Sequence, residues 1–223
     1  MRERIGDYFG QQFDAIVVPT CGYCTSKGRA WLDTGIGYEA MRRWPRIPGM
    51  LADKKQAHGM HTICLTDSDP HYPAKPILQK PAMADQPDIS YHVISLPIKP
   101  SRFYVSSEGW ERVRPHFRTD DPKTMWIPGY QAYSNLGILR HGAEELRDMA
   151  TAYGWTQVGV PRLGTEDGGL SWPLVKKELS NILDDRFIVV LDLRIREEQY
   201  NQPYKTYDEW SGTDYNWSGW HAE

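Results

Sequence analysis

Hydrophobic and polar positions along the chain form two kinds of pattern. Short apolar runs with β-branched residues at their centre predict buried strands, and apolar residues that recur at intervals of three and four predict helices. Strands are predicted for FDAIVVPTC (13–21), MHTICLTD (60–67), ISYHVISLPI (89–98), TQVGVPRL (156–163) and RFIVVLDL (186–193). Helices are predicted for GYEAMRRWP (37–45), SNLGILRHGAEELRDMATAYG (134–154) and SWPLVKKELSNIL (171–183).

This alternation of strands and helices predicts a three-layer α/β domain with a mainly parallel or mixed sheet. The ends of the last two helices carry residues that favour helix termini. We expect Ser134 to be the N-cap of the first of them and Gly154 to follow its last turn. We expect Ser171 to be the N-cap of the second, with Pro173 in its first turn.

The domain is expected to cover residues 1–193. An insertion at about 100–130 interrupts it, because that stretch is polar, basic and aromatic without a clear period. The segment 194–223 is rich in aromatic and polar residues but poor in Leu, Ile and Val. This composition predicts a separate C-terminal tail, which is either a flexible arm or a lid over the domain.

Composition and charge exclude several classes of protein. The chain has 223 residues and a net charge of −3, so its overall charge does not predict nucleic-acid binding. Three cysteines and the lack of an apolar signal segment at the N-terminus predict a reducing, intracellular compartment, and hence a cytoplasmic location. No stretch approaches the roughly 18 apolar residues of a membrane span, so we expect no membrane contact.

Two glycine-bearing loops stand between a predicted strand and a predicted helix. The first lies within PTCGYCTSKGRAWLDTGIGYEAMRRWP (19–45), and the second within VGVPRLGTEDGGLSWPLVKKEL (158–179). Glycines allow close approach to a ligand, and successive backbone N–H groups at a helix start bind anions. Two such loops at the same edge of a sheet predict a crevice that could hold a diphosphate.

Cysteine and histidine spacing offers a weak zinc signal. Cys21 and Cys24 form a C-x-x-C pair, and His58, His61 and Cys64 form an H-x-x-H-x-x-C run. The second run enters a predicted strand, where alternation directs neighbouring side chains to opposite faces. We therefore expect buried or loop cysteines, and neither a metal nor a cofactor.

The insertion carries a second possible binding surface. Residues 102–118, RFYVSSEGWERVRPHFR, interleave arginines with aromatic residues. That combination suits stacking on a single-stranded nucleic acid or an adenine ring. Packing of the insertion on the domain edge is the alternative.

Four segments, in order, resemble the macrodomain family of ADP-ribose-binding proteins. They are RIGDYF (4–9), the stretch from AIVVPTCGY to AMRRWP, LPIKPSR (96–102) and VPRLGTEDGGLSW (160–172). The LPIK and GGLSW motifs are most similar to the branch containing terminal ADP-ribose glycohydrolases and antitoxins that remove ADP-ribose from DNA. The resemblance implies a three-layer α/β/α macrodomain with a mixed central sheet. It also implies ADP-ribose, or an ADP-ribosylated protein or DNA, as the partner.

The resemblance assigns roles to individual residues. Asp7 would accept a hydrogen bond from the adenine amino group, and Thr20 and Cys21 stand where the family usually has Asn near the distal ribose. The first loop would contribute either Lys27 and Gly28 or Gly35 and Gly37, since two alignments compete. The residues expected to line the phosphates and the distal ribose are Gly164, Thr165, Glu166, Asp167, Gly168, Gly169 and Leu170.

Lys99 and Asp167 are the catalytic candidates. A neutral lysine amine at the distal ribose can attack C1″ or its ring-opened aldehyde, which is the kind of work the resemblance implies for Lys99. Asp167 or Glu166 could act as a general base or bind ribose hydroxyls. The alternatives are a solvated Lys99 just past its strand and carboxylates that only cap a helix. A non-catalytic ADP-ribose-binding module, or a nucleotide-binding α/β domain of another kind, would need neither residue.

Overall fold

The computed structural model describes residues 1–32, 35–66, 77–79, 89–104, 126–165 and 168–191. The strands are Arg2–Ile5 (β1), Ala15–Cys21 (β2), Ile63–Cys64 (β3), Ile77–Gln79 (β4), Ile89–Lys99 (β5), Arg102–Tyr104 (β6), Trp126–Pro128 (β7), Val158–Val160 (β8) and Phe187–Leu191 (β9). The α-helices are Gly35–Arg43 (α1), Ile47–His58 (α2), Leu136–Ala152 (α3) and Trp172–Ser180 (α4), with a 3₁₀ turn at Gly129–Gln131. No helix in these segments is long and apolar enough to cross a bilayer.

The main sheet is mixed. Its strand order is β1-β9-β8-β2-β5-β3, and the first five of these strands run parallel. Both β3 and β4 pair antiparallel with the long strand β5, and β6 and β7 form a separate antiparallel pair at the two ends of the expected insertion. The mixed central sheet predicted from the sequence is therefore confirmed.

Alternation along the central strands builds a core on each face of the sheet. In β2, Ala15 and Val17 pack on the side of α3 and α4, and Ile16 and Val18 pack on the side of α1 and α2. The same alternation recurs in β9, since successive side chains of a strand point to opposite faces. Helices cover both faces, which is the three-layer arrangement that the sequence predicts.

Two elements carry no clear sequence signal. Strand β1 is exposed at all four residues, so its edge position gives no apolar run. Helix α2 buries Ile47, Leu51, Ala52 and Lys55. Because a lysine stands on its buried face, the segment after Pro45 lacks the apolar period that predicts a helix.

The helix ends correct one prediction. Asn135, and not Ser134, is the N-cap of α3, because its side-chain oxygen accepts a hydrogen bond of 2.9 Å from the backbone N–H of Ile138. The N–H of Ser134 instead donates to the carbonyl oxygen of Gly168, at 2.8 Å. Gly154 follows the last turn of α3 with φ 68°, and Ser171 is the N-cap residue of α4, as expected.

The buried hydroxyl of Tyr8 lies between β2 and β8. It accepts from the N–H of Val17 at 2.8 Å and lies 2.8 and 2.7 Å from the carbonyl oxygens of Val17 and Gly159. The paired register of the two strands ends at Ile16 and Gly159. Beyond this point the two strands lose their ladder, so the loops that follow them begin on either side of a split in the sheet.

Candidate functional site

The carboxyl ends of the parallel strands β2, β5 and β8 meet at one edge of the sheet. Cys21, the last residue of β2, pairs with Lys99, the last residue of β5, after a register shift at Thr20. Lys99 is 8% exposed, so the lysine expected to be catalytic is buried. Ligands of open parallel sheets bind beyond this end of the strands.

We call the loop after β8, residues 161–171, the short loop; the structure describes all of it except residues 166 and 167. Its ends are held by a hydrogen bond of 2.9 Å from the N–H of Leu170 to the carbonyl oxygen of Gly164. The buried Thr165 donates its hydroxyl to the carbonyl oxygen of Arg162 at 3.0 Å, and the guanidinium of Arg162 lies 5.2 Å from the ring centre of Trp172. The last contact gives a physical reason for Arg and Trp at the two ends of the motif.

Glycines of the short loop pack against the segment that precedes α3. A Cβ atom at Gly168 would lie 2.4 Å from the hydroxyl oxygen of Ser134, and one at Gly169 would lie 2.7 Å from the ring of Tyr133. Both distances are below van der Waals contact. The rigid ring of Tyr133 requires glycine at position 169, whereas at Gly168 the Ser134 hydroxyl would have to rotate away.

Ser134 and Asn135 connect the short loop to Lys99. The N–H of Asn135 donates to the carbonyl oxygen of Ile98 at 3.0 Å, next to Lys99, while Ser134 bonds to Gly168. The Ser134 hydroxyl and the Asn135 amide nitrogen are buried and have no hydrogen-bond partner among the described residues. A buried polar atom without a partner is costly, and a ligand is one way to satisfy it. Sequence reasoning assigned Ser134 only a capping role and gave Asn135 none.

We call the loop after β2, residues 22–34, the long loop; the structure describes residues 22–32 of it. Cys24 and Ala30 form an isolated antiparallel bridge, so the residues between them make a hairpin turn. Lys27 and Gly28 are at its exposed tip. Gly35 and Gly37 instead lie at the start of α1, where Gly37 is buried close to the carbonyl oxygen of Pro19 in β2. Of the two competing alignments, only the second concerns residues next to the end of β2.

Three aromatic side chains, two of them from the long loop, form a cluster. The rings of Trp31 and Tyr130 stack with their centres 4.6 Å apart and their planes at 19°, and Tyr23 meets both rings edge-on. Tyr130 comes from the 3₁₀ turn before α3, so the cluster joins the long loop to the segment that supports the short loop. Scattered aromatic residues gave no periodic signal for this cluster.

Lys55 is a second buried lysine at this edge, and the sequence did not indicate it. It is 8% exposed, and its ammonium group donates to the carbonyl oxygen of Cys21. Burial lowers the pKa of Lys55, although the Cys21 and Cys24 thiols oppose this shift. Burial also raises the pKa of Cys24, against the effect of Lys55. Both groups are thus shifted towards their neutral forms.

Comparison with solved structures identifies this arrangement. The macrodomain of Thermus aquaticus DarG matches with a TM-score of 0.52 and 13% identity over 85% of this chain and 95% of that one. Thermosipho africanus DarTG in complex with ADP-ribose matches with a TM-score of 0.52 and 14% identity, over 89% of this chain and 44% of that one. The chain has the macrodomain fold. Neither the protein-family models nor the curated proteins give a match to its sequence.

Other side chains expected to bind in this macrodomain have internal contacts. The exposed Asp7 accepts a hydrogen bond of 3.0 Å from the N–H of Phe9 and so stabilises the turn after β1. The Thr20 hydroxyl lies 3.0 Å from that of Ser95 within the sheet, and the thiol of Cys21 lies 3.6 Å from the carbonyl oxygen of Trp31. Their roles towards a ligand stay predictions.

Several predictions fall outside the described residues. Glu166 and Asp167 do, as do the tail 194–223, most of the insertion and residues 105–118 of the arginine-rich segment. The cysteines and histidines weighed for zinc do not gather into one group among the described side chains. Cys64 lies beside His92 and Thr66, while His61 contacts Glu145.

Proposed function

We propose that this macrodomain binds ADP-ribose and hydrolyses it from a modified macromolecule, protein or DNA. One observation carries the proposal: the buried Lys99 ends β5 next to Ile98, which is linked through Asn135 and Ser134 to Gly168 of the short loop. The strand that carries the nucleophile candidate and the glycine-rich loop are therefore connected through residues 134 and 135 by two backbone hydrogen bonds. The Thermosipho africanus DarTG, 44% of which matches this fold, is in complex with ADP-ribose, and this likeness supports the proposal.

The short loop is suited to the diphosphate. It leads directly into α4, whose N-terminus contributes a partial positive charge on the side of the loop. Gly164 and Gly169 have φ values of 71° and 74°, the conformation found where successive backbone N–H groups form an anion-binding nest. The N–H groups of Gly168 and Leu170 bond within the loop, so we propose that other N–H groups of the loop bind the anion. The unpartnered groups of Ser134 and Asn135 are then candidates to bind phosphate or ribose oxygens.

Lys99 is suited to the chemical step. In this mechanism its neutral amine attacks C1″ of the distal ribose, and the bond from C1″ to the modified group breaks as that group takes up a proton. Water then cleaves the bond between C1″ and the lysine nitrogen, which releases ADP-ribose and regenerates the amine. Asp167, outside the described residues, is proposed as the base that activates this water.

Thermal unfolding with ADP-ribose, and with ATP as a control nucleotide, tests the binding step. A ligand at about 100 times its dissociation constant stabilises the native state by roughly 2.7 kcal/mol. That corresponds to a rise in Tm of roughly 5–10 °C for a domain of this size. A rise with ADP-ribose alone supports the proposal, and no rise with either nucleotide contradicts it.

Turnover of ADP-ribosylated protein and DNA tests the catalytic step. We expect Lys99→Ala to lose turnover and retain binding, with Lys99→Arg as a second variant in case the shorter side chain impairs folding. Lys54→Ala is the matched control, because Lys54 also lies near a strand but bonds to the carbonyl oxygen of Cys64 in β3. If the wild-type protein binds ADP-ribose but releases none from either substrate, the non-catalytic binding module is the correct alternative.

A further inference from the structure

Two histidines and a glutamate converge at the β3 side of the sheet, apart from the two loops. His61 precedes β3 by two residues, and His141 and Glu145 lie one turn apart on α3. One ligand atom from each of the three residues lies within 4.8 Å of the others. His61 Nδ1 is 2.5 Å from Glu145 Oε1, and His141 Nε2 is 3.4 Å from the same oxygen.

We propose that His61, His141 and Glu145 bind a zinc ion. Two imidazoles and one carboxylate form a donor set that zinc uses in proteins, with a water molecule as the fourth ligand. In a tetrahedral site with bonds of about 2.0–2.1 Å, neighbouring ligand atoms are roughly 3.3 Å apart. The separation of 3.4 Å between His141 and Glu145 already matches this value. His61 has to withdraw from its short contact with Glu145, and its distance to His141, which is within 4.8 Å, has to adjust to the same value.

The carboxylate of Glu145 is held in place by its second oxygen. The backbone N–H of Thr62 donates to Glu145 Oε2 at 2.7 Å, and the Thr62 hydroxyl donates to the carbonyl oxygen of Gly142 at 2.9 Å. These bonds fix the segment before β3 on the surface of α3. Hydrogen bonds to the distal atom of a metal ligand orient it and strengthen binding.

Exposure makes this group accessible to an ion from solution. The side chains of His61 and His141 are 56% and 63% exposed, whereas that of Glu145 is 23% exposed. The two imidazoles can therefore adjust around a fixed carboxylate. A zinc ion here would connect the segment before β3 to α3, and its binding does not depend on the proposed ADP-ribose chemistry. The proposal replaces the expectation of no metal and uses only His61 of the residues weighed for zinc from the sequence.

Zinc titration of the whole, chelator-stripped chain against a chromophoric chelator tests the proposal. We expect one equivalent of bound zinc. His141→Ala and Glu145→Gln should weaken binding by roughly 100-fold or more, since even indirect partners of metal ligands contribute 10–100-fold. Asp148→Asn is the matched control, because Asp148 is also a carboxylate of α3 but pairs with Arg147. Thermal unfolding without metal checks that each variant folds.

Cobalt substitution distinguishes this site from one built on the cysteines. We expect the visible bands of four-coordinate cobalt without a thiolate charge-transfer band, and we expect Cys21→Ser and Cys24→Ser to leave the spectrum unchanged. A thiolate band would overturn the proposal. So would the absence of bound zinc in the wild-type protein, or full affinity in His141→Ala.

Discussion

The short loop and the long loop both follow a buried parallel strand and both contain glycines, yet the glycine at the tip of the long loop differs from the others. Gly22, at the start of the long loop, is enclosed, since a Cβ atom there would lie 2.5 Å from the backbone nitrogen of Ser101. Gly164, Gly168 and Gly169 of the short loop are enclosed by Leu170, Ser134 and Tyr133. Gly28 of the long loop has φ 66°, but a Cβ atom there would meet nothing within 4 Å. Glycine in the short loop serves packing as well as backbone conformation, whereas at the tip of the long loop it serves only backbone conformation.

This difference bears on function. A loop held by internal packing keeps its shape without a ligand, so its binding groups are preorganised and less entropy is lost on binding. The hairpin of the long loop lacks that support at its exposed tip. We therefore expect the short loop to determine affinity for the diphosphate, and the long loop to determine which groups beyond it are accepted.

Replacing one glycine of each loop by alanine should give the largest difference in stability between the two loops. Both Gly164 and Gly28 have positive φ, which costs a residue with a side chain about 1–2 kcal/mol. At Gly164 the new Cβ would also lie 2.9 Å from Leu170, and overpacking adds about 1–3 kcal/mol. Urea denaturation should thus show a loss of about 2–5 kcal/mol for Gly164→Ala and about 1–2 kcal/mol for Gly28→Ala. Equal losses would remove the distinction between the loops.

Tyr8→Phe tests whether the Tyr8 hydroxyl stabilises the point at which β2 and β8 separate and the two loops begin. Removing the hydroxyl leaves the N–H of Val17 and the carbonyl oxygen of Gly159 buried without this hydrogen-bond partner. The expected loss of stability is about 1–3 kcal/mol. Tyr38→Phe, at an exposed tyrosine of α1, is the control and should change stability by less than about 0.5 kcal/mol. A loss in Tyr8→Phe no larger than in the control would mean that the hydroxyl contributes little to the split.

Lys55, which supports the start of the long loop through Cys21, should make stability depend on pH. Its pKa in the folded protein is lowered from an unfolded value of about 10.4, so between these two values the unfolded chain binds more protons. The contribution of Lys55 to the free energy of unfolding therefore increases as pH rises from its folded pKa to its unfolded pKa. Urea denaturation from pH 7 to 10 should show the increase, and Lys55→Met should remove it.

Cys24 opposes this effect, since its pKa is raised in the folded protein. The measurement is therefore made in a Cys24→Ser background, which removes this opposing contribution. The raised pKa values of Tyr8 and Tyr91 act equally with and without Lys55→Met, so the comparison of the two isolates the lysine. Lys54→Met is the control, because Lys54 precedes Lys55 on α2 but bonds to β3. An unchanged pH dependence in Lys55→Met would show that the ammonium group is better solvated than its burial indicates.

The parts of the fold that the sequence predicts are those with continuous apolar patterns. Strand Ala15–Cys21 and helix Leu136–Ala152 bury apolar side chains at regular intervals, so their existence follows from the pattern. Helix Ile47–His58 was missed because Lys55 is on its buried face, and strand Arg2–Ile5 was missed because it is exposed. In both cases the tertiary environment of the element, and not its local preference, determines its structure.

The residues of the candidate site also fall into two groups, those that a local motif predicts and those that it does not. Gly164, Gly168 and Lys99 were predicted because they belong to short motifs at strand ends. The positions of Ser134 and Asn135 were not, because their proximity to Gly168 and Ile98 joins segments more than thirty residues apart in sequence. The grouping of His61 with Glu145 is longer in range still, at 84 residues. Local sequence patterns carry no information about contacts between residues so far apart in the chain.

Ser134→Ala is expected to have the smallest effect on stability and to separate packing from binding within the short loop. The hydroxyl is buried without a partner among the described residues, so its removal should lower stability by no more than about 0.5 kcal/mol and should raise it where the unpartnered oxygen is costly. If the hydroxyl binds ADP-ribose, affinity measured by calorimetry should fall roughly 2–10-fold, the equivalent of one hydrogen bond. Ser26→Ala, at the exposed tip of the long loop, should change neither quantity. A stability loss above about 1 kcal/mol with unchanged affinity would instead assign Ser134 to packing alone, and the short loop would then bind through its backbone.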